Sequence, residues 1–261
     1  MNEPYTSDEM MTVAAARMLR NGAVCFVGIG LPSTAANLAR LSHAPDAVLV
    51  YESGPIGAKP PVLPLSIGDG NLAETADTVV STQEIFRYWL QGGRIDVGFL
   101  GAAQLDRFAN INTTVVGPYH KPTVRLPGAG GAPEISSSAR EVLIVVKQSK
   151  RTFVEKVDFV TSAGFLTGGN AREQAGLSGN GPAAVITDLC IMRPDPATRE
   201  LTVTSIHRGV TREKIVASTG WHVYFAERCE ETPGPTLAEL AALRDLKART
   251  AAVHGTQGDA E

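Results

Sequence analysis

The stretch Ala23-Val24-Cys25-Phe26-Val27-Gly28-Ile29-Gly30-Leu31-Pro32-Ser33 decides the class of fold. Its opening residues are apolar, which is typical of a strand buried on both faces. The glycines predict a tight turn, and Pro32 suits the first turn of a helix that we expect to continue through Leu41. A buried strand, a glycine-rich turn and a helix make the repeating unit of an α/β fold.

The turn at Gly28 and Gly30 has two interpretations. The free N–H groups and the positive dipole end of the following helix would suit an anion. The dinucleotide fingerprint is incomplete, however, because Ser33 stands in the place of the third glycine. A tight turn without a ligand explains the glycines equally well, so both interpretations stay open.

A second apolar run, Val48-Leu49-Val50-Tyr51, ends at Glu52 and is followed by Ser53-Gly54-Pro55. A carboxylate at the end of a buried strand is costly to desolvate, so it tends to be either paired or reactive. The following residues, 54–70, are rich in glycine and proline and too apolar for a linker. We expect them to pack as a loop near the strand ends.

The stretch Arg125-Leu126-Pro127-Gly128-Ala129-Gly130-Gly131-Ala132-Pro133 also calls for a chemical explanation. Backbone at Gly128, Gly130 and Gly131 can approach a ligand closely and expose its N–H groups, as an oxyanion hole or a phosphate cradle requires. The alternative is a flexible surface loop. Prolines at both ends stiffen the stretch, which favours a pre-organised site.

The rest of the chain predicts one domain over residues 1–253 and a flexible tail over 254–261. A capping box at Thr6 and Glu9 predicts a first helix. We further expect helices at residues 83–90, from 210 and over 235–253, and strands at 95–101, 142–146, 153–160, 183–188 and 201–206, the last two antiparallel. For Asn110 and Asn112 we favour backbone capping over ligand binding.

Composition excludes several classes of function. The net charge of −3, with acids and bases interspersed, leaves no electrostatic footprint for nucleic acid or an anionic membrane. Cys25, Cys190 and Cys229 show neither a disulfide framework nor a zinc spacing, and the five histidines form no ligand pair, so we expect no metal. The absence of an apolar spanning run or signal segment predicts a soluble, cytoplasmic protein.

A carboxylate, a glycine-rich loop and no evident base, metal or thiolate remain. Carboxylates are ionised at neutral pH and can act as nucleophiles without a general base. Glu52 would therefore suit acyl exchange better than hydrolysis.

The motifs above resemble those of the β subunit of class I coenzyme A transferases. The resemblance is carried, in matching order and spacing, by the Gly28 turn, the Glu52-Ser53-Gly54 triplet, the run from Gln91 to Gly101 and the stretch from Leu126 to Ala132. It covers nearly the whole chain. It implies an open mixed, mainly parallel sheet with flanking helices, of the NagB/RpiA/CoA-transferase type, and an α subunit as partner in a heterodimer or larger oligomer.

The resemblance also implies roles for single residues. Glu52 matches the glutamate that carries the covalent glutamyl-CoA thioester, and the backbone around Gly128, Gly130 and Gly131 matches the oxyanion and CoA-contacting loop. Coenzyme A thioester is then a substrate, and no cofactor is bound permanently. Likeness to members acting on 3-oxoadipate implies succinyl-CoA as donor, in aromatic-compound degradation. Residues 54–64 would form an apolar wall that excludes water.

The sequence departs from the family pattern at two positions. Ala109 stands where glycine commonly follows Asp-Arg-Phe, and Pro118 stands where an aspartate precedes tyrosine. Arg94, Arg107 and Arg125 could each meet the far carboxylate of a dicarboxylic acid, although each is more often a salt bridge.

Three other interpretations stay open. The acceptor could be another dicarboxylic acid, such as glutaconate. The chain could instead belong to a hydrolase or decarboxylase acting on a CoA thioester, although such relatives tend to lack the glutamate. A sugar-phosphate or nucleotide-binding domain would need only the Gly28 turn, and it leaves Glu52 and Gly128 unexplained.

Overall fold

A computed structural model describes residues 5–255. Its α-helices are α1 (Ser7–Ala16), α2 (Leu31–Arg40), α3 (Gly70–Glu74), α4 (Thr82–Glu84), α5 (Ala132–Ser138), α6 (Ala171–Gln174), α7 (Arg212–Ala217) and α8 (Leu237–His254). Its strands are β1 (Val24–Phe26), β2 (Val48–Val50), β3 (Pro55–Ile56), β4 (Thr78–Val79), β5 (Val97–Leu100), β6 (Gln104–Leu105), β7 (Ile111–Asn112), β8 (Val115–Val116), β9 (Val124–Arg125), β10 (Glu141–Val145), β11 (Pro182–Ile186), β12 (Cys190–Pro194), β13 (Leu201–His207) and β14 (Tyr224–Thr232).

The chain forms two compact units. The first comprises the described parts of Met1–Ile85 and Pro235–Glu261, and the second is Phe86–Gly234. Each has an open mixed sheet with helices packed on it, so the predicted fold class is confirmed. One domain over residues 1–253 stays a prediction. His254 ends α8, and the predicted tail beyond Gly255 lies outside the described residues.

In the first unit the strand order is β1-β2-β3-β4. Strands β1 and β2 are parallel with Phe26 opposite Val50, while β3 is antiparallel to β2 and to β4. Because β1 and β2 are parallel, the turns that follow them open at the same edge of the sheet. Helices α1, α2 and α8 pack against one another, and Arg244 joins α8 to Glu9 of α1 with a 2.7 Å ion pair.

In the second unit the strand order is β14-β13-β12-β11-β10-β5. Strands β5, β10 and β11 are parallel, whereas β12 is antiparallel to β11 and to β13. Helix α5 lies so close to β5 that a Cβ at Gly98 would come within 2.4 Å of the Ile135 side chain. The hairpins β6-β7 and β8-β9 form separate small sheets.

Several predicted elements are confirmed. The capping box at Thr6 and Glu9 begins α1, and α2 begins at Gly30 with proline in its first turn. Helix α8 has a second capping box, from Thr236 to Glu239. Asn110 and Asn112 accept backbone N–H bonds, from Gly164 and Leu166 and from Thr114 and Val115 respectively.

Other predictions about the second unit were wrong. Residues 153–160 are not a strand. Glu155 would share a strand face with buried Phe153 and Val157 but is exposed, and the Asp158 carboxylate accepts bonds from Gln104 and Gly117. The sequence did not predict strands β12 and β14. Strand β12 lies between β11 and β13, so these two strands are not the antiparallel neighbours that the sequence predicted. The helix predicted at 83–90 is confirmed as helical, but it is α-helical only in α4 and continues as a π-helical segment, Ile85–Leu90.

Candidate active site

Glu52 lies at the tip of the hairpin that joins β2 to β3. The Gly54 N–H donates to the Tyr51 carbonyl at 3.0 Å, and the Tyr51 N–H donates to the Pro55 carbonyl at 3.0 Å. These bonds make residues 51–54 a β-turn with Glu52 and Ser53 at its centre. The carboxylate is therefore mounted on a closed turn at the carboxyl end of a buried strand.

The Glu52 carboxylate has no partner among the described residues. The side chain is half-buried, and no residue of 5–255 donates a hydrogen bond to it or forms an ion pair with it. Its neighbour Ser53 is engaged, since its hydroxyl donates to the Ile67 carbonyl. The sequence predicts that this carboxylate is either paired or reactive, and within the described chain it is not paired.

Gly54 is required by the turn itself. Its φ is +121°, a region that side chains rarely adopt, and an added Cβ would lie 2.0 Å from the carbonyl oxygen of Val80. The Val80 N–H in turn donates to the Gly54 carbonyl at 3.1 Å. The turn is thus pressed against the segment that follows β4.

A buried polar chain connects the Glu52 turn to helix α2. The Tyr51 hydroxyl, fully buried, lies 3.4 Å from the Ser33 hydroxyl. Asn37 donates to the Ser33 carbonyl at 2.9 Å, and Arg40 donates to Asn37 at 3.3 Å. Burial raises the pKa of Tyr51. Sequence reasoning missed this chain, although polar residues three and four apart within the apolar face of α2 were a usable signal.

The Gly28 and Gly30 turn opens beside the Glu52 turn, at the same sheet edge. The Val27 N–H donates to the Val50 carbonyl at 2.9 Å, so the two strands remain paired up to their last residues. Gly30 has a φ of +80°, which explains that glycine. An added Cβ at Gly28 would meet no heavy atom within 4 Å.

The apolar wall at residues 54–64 stays a prediction. Within residues 54–64, Pro55, Ile56 and Val62 are buried, whereas Pro61 is exposed. Exposed apolar side chains come from neighbouring residues, namely Leu65 (48% exposed), Ile67 (39%) and Val79 (53%).

The glycine-rich stretch of the second unit lies between β9 and α5. The Gly128 N–H donates to the Thr113 carbonyl at 2.8 Å and is therefore engaged, whereas no described residue accepts from the N–H groups of Gly130 or Gly131. Gly128 and Gly130 have φ values of +106° and +49°. An added Cβ at either would meet nothing within 4 Å. Thr113, which the sequence did not single out, has a buried hydroxyl with no partner in the described chain.

Ala109 and Pro118, the two positions that depart from the family pattern, lie in different local environments. Ala109 has a φ of +59°, which favours glycine, so the alanine occupies a strained backbone position. Pro118 precedes Tyr119, whose half-exposed ring stacks on Phe159 at 5.5 Å and lies under the Arg125 guanidinium at 5.3 Å.

Two further arginines have contacts within the second unit. Arg107 forms ion pairs with Glu155 at 3.3 Å and with Glu200 at 3.6 Å, as the salt-bridge interpretation predicts. Arg94 donates to the carbonyl of Tyr88.

The described residues were also searched for clusters of metal-ligating side chains and for exposed thiols. Among residues 5–255, no group of three or more histidine, cysteine, aspartate or glutamate side chains could hold a metal ion. Cys25 and Cys190 are fully buried, and burial raises the pKa of Cys190 to about 12. In the same residues, no helix has both the length and the hydropathy to span a bilayer.

Comparison with known proteins gives a family and close relatives. The family described as coenzyme A transferase matches residues 8–218. The chain is 71% identical to the B subunit of the 3-oxoadipate CoA-transferase of Pseudomonas knackmussii over 257 residues, 98% of this chain and 99% of that one. Both the predicted family and the likeness to members acting on 3-oxoadipate are confirmed.

Two more distant relatives match most of the chain. The B subunit of the glutaconate CoA-transferase of Acidaminococcus fermentans is 33% identical over 90% of this chain and 91% of its own. The crystal structure of that enzyme superposes with a TM-score of 0.86 at 31% identity, covering 92% of this chain and 94% of that one. A cholesterol ring-cleaving hydrolase subunit of Mycobacterium tuberculosis is 27% identical over 92% and 93% of the two chains.

Proposed function

Because the chain belongs to the coenzyme A transferase family, we propose that it is one of the subunits of an enzyme that moves CoA from succinyl-CoA to 3-oxoadipate, giving 3-oxoadipyl-CoA and succinate. This reaction belongs to the degradation of aromatic compounds. The donor and acceptor follow from the 71% identity to a 3-oxoadipate CoA-transferase chain. Coenzyme A thioester is the substrate, and the reaction needs no resident cofactor.

Glu52 is the proposed nucleophile. Its carboxylate attacks the thioester carbonyl of succinyl-CoA, which gives an acyl-glutamyl anhydride and releases CoA thiolate. The thiolate attacks the glutamyl carbonyl of the anhydride, which gives glutamyl-CoA thioester and releases succinate. The same two steps in reverse, with 3-oxoadipate as the incoming carboxylate, deliver the CoA and restore Glu52.

The observation that carries this proposal is the unpaired carboxylate on a closed turn. A glutamate held for structure would form a hydrogen bond or an ion pair, as Glu9 does with Arg244. Glu52 forms neither within the described chain. A carboxylate also suits the chemistry, because its anhydride and thioester keep the group-transfer potential that a serine ester would lose.

The glycine-rich stretch of the second unit has the backbone that stabilisation of an oxyanion needs. The free N–H groups of Gly130 and Gly131 are the proposed donors to the thioester oxyanion. The Gly128 N–H is bonded to Thr113, so its contribution to CoA binding is the absence of a side chain at a φ of +106°. The Gly28 and Gly30 turn stays a candidate anion-binding turn.

We also propose a homologous α subunit as partner, in a heterodimer or larger α/β oligomer, because the two CoA-transferase relatives described above are both B subunits. The exposed apolar side chains of Leu65, Ile67 and Val79 beside the Glu52 turn are consistent with a surface that such a partner covers. All three cysteines are free thiols, which suits the reducing cytoplasm.

The covalent intermediate provides the first test. The complex with the α subunit is incubated with succinyl-CoA and then with borohydride, which reduces a glutamyl thioester to an alcohol. We expect intact-mass and peptide spectra to show the change at Glu52. A complex that transfers CoA while Glu52 stays unmodified would exclude the covalent mechanism.

Glu52→Gln provides the second test, with Glu74→Gln as its control because Glu74 is exposed at the end of α3. Loss of a nucleophile lowers turnover by about 10⁴-fold or more. The unfolding temperature should not change, since the Glu52 carboxylate has no partner to lose.

Two results with the wild-type complex would favour another function. Release of free CoA at a rate independent of the acceptor acid would support a hydrolase, and faster transfer to glutaconate than to 3-oxoadipate would identify glutaconate as the acceptor.

A further inference from the structure

Gly28 has no reason within the described chain to be a glycine. Glycine is needed where φ is positive or where a side chain would collide with its neighbours. Gly30 meets the first condition with a φ of +80°, and Gly98 meets the second because of Ile135. Gly28 meets neither: its φ lies outside the left-handed region, and an added Cβ would have no heavy atom within 4 Å.

The position of Gly28 places this open space next to Glu52. Gly28 follows β1 and Glu52 follows the parallel neighbour β2, with Phe26 opposite Val50 at the strand ends. Paired strands lie about 4.8 Å apart, so the Gly28 α-carbon adjoins the Glu52 turn. Both residues are half-buried, and Gly30 is exposed, so the space is accessible from solvent.

The glycine also lowers the stability of the fold. Glycine loses more conformational freedom on folding than any other residue, and alanine at a compatible backbone position stabilises a protein. An alanine at residue 28 would fit the backbone and touch nothing. Gly70 meets neither condition either, so the position of Gly28 decides the argument. Open space beside a proposed nucleophile can receive a molecule that is not part of this chain.

We propose that the reacting end of the acyl-CoA thioester lies over the α-carbon of Gly28 while its carbonyl carbon meets the Glu52 carboxylate. This inference rests on the proposed function, because it takes Glu52 as the nucleophile. A thioester is planar and the methylene carbons on either side of it are apolar, so this part of the substrate can lie directly on bare backbone. Gly28 is then a specificity-determining position, since any side chain there would separate the acyl group from Glu52.

The test compares Gly28→Ala and Gly28→Val with Gly70→Ala in the complex with the α subunit. Gly70 is a matched control because it also has no positive φ and no heavy atom near an added Cβ, and it begins α3. We expect kcat/KM for CoA transfer to fall about tenfold with alanine and about hundredfold with valine at residue 28. The Glu52 adduct should form more slowly by the same factors, and the unfolding temperature should stay unchanged or rise.

Three results would overturn the inference. The first is a Gly28→Ala complex with wild-type transfer. The second is failure of the Gly28 variants to assemble with the α subunit, since the space would then belong to the partner. The third is an equal loss in Gly70→Ala, because the effect would not depend on position. A wild-type complex that transfers no CoA is a different result, and it refutes the proposed function itself.

Discussion

Gly54→Ala should displace the Glu52 turn while keeping the proposed nucleophile, Glu52, in the chain. An added Cβ would lie 2.0 Å from the Val80 carbonyl oxygen. Carbon and oxygen atoms approach to about 3.3 Å at closest, so the turn has to shift by roughly 1.3 Å. A misplacement of about 1 Å costs on the order of 10²-fold in rate. We therefore expect Gly54→Ala to lower the rate of Glu52 adduct formation at least about hundredfold.

The same substitution should also destabilise the first unit. Alanine at a φ of +121° costs about 1–3 kcal/mol, and loss of the Val80 N–H bond to the Gly54 carbonyl adds about 1 kcal/mol. Gly22→Ala is the matched control, because Gly22 has a φ of +75° and an added Cβ there would meet nothing within 4 Å. It precedes β1, at the opposite end of the strand from the Gly28 turn.

The assay is single-turnover adduct formation in the complex, together with thermal unfolding of each variant. Gly22→Ala should lose about 1–2 kcal/mol of stability with an unchanged rate. The reasoning would be refuted by a folded Gly54→Ala complex whose adduct forms within about threefold of the wild-type rate, since a displacement of about 1 Å costs far more. Equal rate losses in both variants would attribute the effect to lost stability instead.

Two further predictions concern stability. The hydrogen bond from Arg244 lowers the pKa of Glu9 from 4.5 to about 2 and outweighs burial, which raises it. The contribution of this pair to stability is present above pH 4.5 and is lost as pH falls toward 2. Glu9→Gln should therefore flatten the dependence of the urea midpoint on pH in that window. Buried Arg172 donates to five backbone carbonyl oxygens of the second unit, so Arg172→Met should lower the free energy of unfolding by about 3 kcal/mol or more, while exposed Arg140→Met should change it little in the same urea titration.

Sequence reasoning worked where local chemistry determines local structure. The strand, turn and helix around Gly28 and the capping boxes of α1 and α8 depend on residues within a few positions of one another. The position of Glu52 after a buried strand was likewise visible, because apolar β-formers end abruptly at a polar residue followed by Gly54-Pro55.

The errors concern contacts between residues far apart in the chain. The segment of residues 153–160 alternates in polarity like a strand but forms no strand. Its Asp158 carboxylate instead accepts a bond from Gln104, which is 54 residues away. Strand β14 has few buried residues, so its pattern carries no hydrophobic signal, and it is recognisable only through its pairing with β13. The polar spacing within α2 could indicate a buried polar chain, but not that Tyr51 is the partner of Ser33, because that contact requires the parallel strands to be paired.

In the proposed mechanism, the Glu52 turn keeps a carboxylate reactive without destabilising the fold. Its neighbours use their own polar groups: Tyr51 and Gly54 close the turn, and the Ser53 hydroxyl bonds to Ile67. No described residue donates a hydrogen bond that would lower the nucleophilicity of the carboxylate. Half-exposure makes this arrangement inexpensive, because water solvates the charge until a substrate or partner covers it. In the proposed reaction, covering the carboxylate would remove that water at the moment of attack and so activate the carboxylate that the turn orients.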